Sequence, residues 1–72
     1  MITTYKDIYN EVMKGNIIII PSSYGNTRTY FKNEEGKARQ RFNKCKDSYF
    51  NGLDTRIDDL DLKRMKILKP IS

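Results

Sequence analysis

TRTYFKNEEGKARQRF, residues 27–42, consists of two alternating runs joined by Asn33-Glu34-Glu35-Gly36. Alternation interrupted by a polar, glycine-closed break is the signature of a β-hairpin whose two faces have different jobs. If the break is a four-residue loop, Lys32 pairs with Lys37, Tyr30 with Arg39 and Arg28 with Arg41, and all six share one face. Thr27, Thr29, Phe31, Ala38, Gln40 and Phe42 then form the other face, which lies on a helix. Like charges directly opposite one another weaken a strand pair, by up to about 1 kcal/mol. A basic face of this kind costs stability unless an anion meets it, so the pattern points to binding.

Working outward on the amino-terminal side, Ser22 to Asn26 reads as a polar turn and Pro21 as the end of a strand. That strand runs from Asn16 to Ile20. Four consecutive isoleucines, Ile17, Ile18, Ile19 and Ile20, are too short for a helix and too β-branched to favour one. The run predicts a strand covered on both faces, and a chain this small has one helical layer to offer. The second face asks for either a wrapped carboxy-terminal segment or another subunit, and self-association through Ile17 to Ile20, as a homo-oligomer, is expected. Before it, Tyr5, Ile8, Tyr9, Val12 and Met13 recur at helical spacing, with Thr4 and Asp7 as a capping box and Gly15 suited to the C′ position.

On the carboxy-terminal side, residues 43–52 show no clear period, and Tyr49-Phe50 reads as a short strand or a packed loop. Thr55 and Asp58 repeat the capping-box spacing, which predicts a helical turn from Arg56 to Leu60. KRMKIL, Lys63 to Leu68, reads as a closing strand with Met65 and Ile67 on one face, ended by Pro70. The whole is a single α+β domain over residues 1–72, with one N-terminal helix packed on a small antiparallel sheet of three to five strands.

The 72 residues carry a net charge of +5, and seven of the 14 basic residues fall between Arg28 and Lys46. Such an excess favours phosphate-bearing or polyanionic partners. No histidine is present and Cys45 is the single cysteine, which excludes an internal disulfide and leaves no usual tetrahedral metal site or hydrolytic triad. Cys45, between Lys44 and Lys46, which favour its thiolate, and lacking a partner base, reads as an inert or adventitiously reactive thiol. No catalytic residue, metal or cofactor is expected. The amino terminus lacks the features of a signal peptide and the isoleucine run is too short to span a bilayer, so a cytoplasmic protein without a membrane role is expected. Arg28, Tyr30, Lys32, Lys37, Arg39 and Arg41 are the candidate ligand-binding residues: arginine forks for phosphate, and an aromatic ring on which a base can stack.

The start YKDIYNEVMKGNIII and the late segment IDDLDLKRMKIL resemble small accessory proteins of bacteriophages, in particular the phage anti-Thoeris sponge family of small α+β oligomers. The resemblance implies a non-enzymatic anti-defence protein acting in the host cytoplasm, where it sequesters a cyclic ADP-ribose-type signal. In that family tryptophans lie near the end of the first strand and at the end of the acidic segment. The corresponding places here are Pro21 to Tyr24 and Met65, and this chain has no tryptophan, so no family site residue is carried over. The alternatives are a nucleic-acid-binding regulator and an inhibitor that docks on a host protein such as a CRISPR effector, anchored by the isoleucines or tyrosines.

Overall fold

The computed structural model describes residues 1–22 and 25–70, so Ser23 and Tyr24 of the expected polar turn lie outside the described residues. The chain runs α1 (Tyr5–Met13), β1 (Ile17–Ile20), β2 (Arg28–Lys32), β3 (Ala38–Phe42), β4 (Ser48–Tyr49), α2 (Asp59–Arg64) and β5 (Lys66–Leu68). The five strands form one antiparallel sheet in the order β4-β3-β2-β1-β5, an α+β fold with α1 across one face.

The first helix starts where the capping box places it. Thr4 Oγ1 accepts from the Asp7 amide at 3.2 Å, and Asp7 Oδ2 accepts from the Thr4 amide at 3.1 Å. The Thr3 amide adds a 2.9 Å bond to the same carboxylate oxygen. These donors, the backbone ones foremost, hold the Asp7 carboxyl below its ordinary range. Gly15 ends the helix with φ 103°, a conformation open chiefly to glycine.

The core forms where α1 meets the sheet. Ile8 and Val12 from the helix pack with Ile18, Ile20, Tyr30, Ala38, Phe50 and Ile57. Tyr30 and Phe50 meet with ring centroids 4.7 Å apart, and Tyr9 and Tyr5 flank them at 6.3 and 6.5 Å. Gly52 allows the chain to pass beneath the helix, since a Cβ there would lie 2.3 Å from Tyr9 Cβ.

The hairpin differs from its sequence expectation by one residue. Asn33 lies at the closing pair, outside the loop: its amide donates to Lys37 O at 2.9 Å and its carbonyl accepts from Gly36 at 3.0 Å. Its Oδ1 accepts from the amides of Glu35 and Lys37. The loop is thus Glu34-Glu35-Gly36, with Gly36 at φ 78° completing the three-residue type. The register becomes Arg28 opposite Phe42, Thr29 opposite Arg41, Tyr30 opposite Gln40, Phe31 opposite Arg39 and Lys32 opposite Ala38. A slip of one residue exchanges the faces of one strand relative to the other.

The carboxy-terminal third also departs from expectation. The helical turn begins at Asp59, with Asp58 as N-cap and no side-chain cap bond. Residues 55–57 instead run extended beside the amino terminus: the Tyr5 amide donates to Thr55 O at 3.0 Å and the Ile57 amide to Thr3 O at 2.8 Å. That pairing buries Ile57 completely. Lys63 and Arg64 belong to α2, so the closing strand is the shorter Lys66–Leu68.

Candidate ligand-binding face

The corrected register divides the six expected ligand-binding residues between the two faces of the sheet. Tyr30 points into the core at 2% exposure and is not a stacking surface. Arg28 lies on the same side: one guanidinium nitrogen pairs with Asp61 of α2, and another donates to the Tyr5 and Tyr30 hydroxyls at 3.3 and 3.4 Å. Burial works against its charge, but the bonds to Tyr5 and Asp61 outweigh it and hold its pKa above the ordinary value. Burial likewise pushes the Tyr30 hydroxyl up. Arg28 is therefore committed to tying α2 and α1 to the sheet. Lys32, on that side too, donates to the Met13 carbonyl at the end of α1, 3.2 Å away. Lys37 follows the loop, exposed, 3.9 Å from Glu35.

Arg39 and Arg41 point to the opposite face, which no element of the described chain covers. Continuing the strand registers, two rows of side chains cross that face. The first is Leu68, Ile17, Phe31, Arg39, Tyr49; the second is Lys66, Ile19, Thr29, Arg41, Asp47. Arg39 Nε donates to Asp47 at 2.8 Å, and Arg41 lies 3.9 Å from the same carboxylate. The Arg39 bond above all holds the Asp47 carboxyl below its ordinary range. Arg41 reaches over Phe31, its guanidinium carbon 5.3 Å from the ring centroid, an ordinary cation–π distance. A groove lined by Gly15, Ile17, Thr29, Phe31, Lys32 and Arg41 runs along this stack.

The isoleucine run is divided in the same way. β1 is an inner strand with both backbone edges paired, and Ile18 and Ile20 are buried in the core. Of the four residues expected to associate with another copy, only Ile17 and Ile19 face outward. Within the described chain α1 covers one face of the run, and the other face stays open to solvent.

Phe31, Tyr49 and Lys66 were not among the expected site residues. A four-residue loop places Phe31 on the helix-covered face, and the three-residue loop places it on the open one. The signal that recovers it is Asn33 with Gly36 three residues on, the composition of a type I turn. Among the described residues no three Asp, Glu, Cys or His side chains gather to hold a metal ion. Cys45 is exposed beyond β3, beside Lys44 and Asn43. No helix of the described residues is long and apolar enough to cross a membrane.

Comparisons with protein-family models, with curated proteins and with solved structures give no match to this chain.

Proposed function

We propose that this protein is a non-enzymatic binder of an anionic, nucleotide-like ligand, held on the open face of its sheet. The observation that carries the reading is the Arg41 guanidinium stacked on Phe31 in a face without a covering layer. Phosphate oxygens suit the guanidinium forks of Arg39 and Arg41. Planar bases suit aromatic rings and stacked guanidinium planes alike. Arginine keeps its proton at physiological pH, so these groups position and neutralise charge without transferring protons. The role of an anti-defence protein that sequesters a signal in the host cytoplasm is supported by the resemblance of the two ends of the chain to the phage sponge family.

Equilibrium dialysis against ATP, cyclic ADP-ribose and a twelve-residue oligothymidylate, followed by heat denaturation and chromatography of what is released, tests this reading. At least one of the three is expected to be retained at fixed stoichiometry and released chemically unchanged. Arg39→Gln with Arg41→Gln, which removes both forks without setting new carboxylates against Asp47, is expected to abolish retention while circular dichroism shows the fold intact. Retention by the double variant, or a cleaved product that grows beyond the number of sites, overturns the proposal.

A further inference from the structure

The row Leu68, Ile17, Phe31, Arg39, Tyr49 crosses all five strands without a wall at either end, and both terminal side chains are largely exposed, at 50% and 63%. A site for one small molecule is usually concave and encloses most of its ligand. This face is a sheet surface about 19 Å across at the usual strand spacing of about 4.8 Å. Its chemistry is repeated along the row: an aromatic ring, an arginine, and a second aromatic ring two strands away, about 10 Å from the first. Lys66 and Arg41 lie in the adjacent row, and three cations against the one carboxylate of Asp47 leave the face positive.

Resting on the binding reading above, we infer that the ligand is a single-stranded nucleic acid laid across the sheet. One base stacks on the Phe31–Arg41 pair, another stacks on Tyr49, and the intervening phosphate meets Arg39. Stacking on aromatic rings joined to a basic track is how single strands are held without sequence preference. Duplex nucleic acid has its bases already stacked on one another and gains nothing from the two rings. A second copy of this chain is the weaker occupant, because a symmetric face-to-face contact sets two faces of the same net positive charge, each with three cations against one carboxylate, toward one another.

The test is fluorescence anisotropy with 5′-labelled twelve-residue oligothymidylate, the same sequence annealed to its complement, and labelled ATP. The expected order is single strand at least ten-fold tighter than duplex and than ATP. Tyr49→Ala, on an exposed two-residue edge strand, is expected to weaken single-strand binding by about 5- to 150-fold, the range for losing one stacked base. Phe31→Leu, which keeps apolar packing under Arg41 and removes only the ring, is expected to act in the same direction. Affinity should fall with salt at a logarithmic slope of about −0.7 for each phosphate met, and Arg39→Gln, which removes the phosphate contact named above, should reduce that slope by about 0.7. Lys6→Gln and Lys63→Gln, on the two helices, serve as controls and should leave binding unchanged. Equal binding of ATP and the oligonucleotide, or undiminished binding by Tyr49→Ala and Phe31→Leu, overturns the strand proposal and leaves the nucleotide reading standing. Loss of all binding to wild type removes both. A dimer in light scattering whose formation Ile17→Asp abolishes, together with absent nucleic-acid binding, assigns the face to a second copy and overturns the proposal.

Discussion

Ile18 and Ile17 are neighbours in a run of four identical side chains, yet one is fully buried beneath α1 and the other keeps 37% of its surface exposed on the uncovered side. The same division runs through Arg28 and Arg41: the first pairs with Asp61 between two helices and the sheet, and the second leans on Phe31. One face of the sheet spends its residues on holding the domain together. The other offers two rings and the Arg41 guanidinium, with Arg39 beside them held by Asp47 at 2.8 Å. Residue type does not separate the two sets. Strand parity does, and parity was fixed by where the hairpin turn closes.

The largest test of this contrast is a matched pair. Ile18→Ala removes a side chain from a closed core and is expected to cost about 2–5 kcal/mol. Ile17→Ala, on the same strand and chemically identical, is expected to cost about 1 kcal/mol, because 37% of its surface already meets solvent and no closed core surrounds it. Urea denaturation followed by circular dichroism distinguishes them, and equal losses would break the assignment of faces. Gly52→Ala ranks next. The added Cβ meets Tyr9 Cβ at 2.3 Å and the φ of 61° is strained for alanine, so a loss of about 2–4 kcal/mol is expected from overpacking and strain combined. A smaller effect belongs to Thr4→Ala, which removes the acceptor for the Asp7 amide. A loss of about 1 kcal/mol is expected for that cap, with ligand binding on the opposite face unchanged.

These pairs also explain which parts of the structure were legible in the sequence. The first helix was readable because its signals are local: Thr4 and Asp7 three residues apart, an apolar stripe at helical spacing, then glycine. The isoleucine strand was readable from β-branching and length. The division of its side chains was not, since four identical residues contain no alternation from which to read a face. The hairpin was visible, but its register depended on whether Asn33 stood inside the loop or closed it, a choice made by backbone hydrogen bonds only a few ångströms long. That one residue moved Arg39 and Arg41 away from Tyr30 and placed them with Phe31. The expected helical turn after Thr55 failed for a different reason. Thr55, Arg56 and Ile57 pair with the amino terminus, fifty or more positions earlier in the chain, and that tertiary pairing overrides the local capping signal.

The last and smallest effect concerns two carboxylates, one on each side of this division. Asp7 caps α1 and Asp47 braces Arg39 on the open face, and hydrogen bonds depress the pKa of both in the folded protein. A group whose folded pKa is depressed contributes stability above its unfolded value, and that contribution is lost as pH falls through the folded pKa. Stability should therefore begin to decline below about pH 4, the ordinary aspartate range, and Asp7→Asn should flatten that decline. For Asp47 the same protonation has a second consequence. Releasing Arg39 frees a guanidinium on the binding face, while a thymidylate strand keeps its phosphodiester charge and has no base that takes up a proton in this range. Affinity for oligothymidylate should thus rise over the interval in which stability falls, and Asp47→Asn should show the raised affinity already at pH 7 with no further rise on acidification. Anisotropy titrations from pH 7 to about pH 2.5, well below the ordinary aspartate range, accompanied by melting curves at each pH, check both limbs. If affinity and stability fall together in wild type and Asp47→Asn binds no tighter at pH 7, then Arg39 does not meet the ligand and the anion lies nearer Arg41 and Lys66.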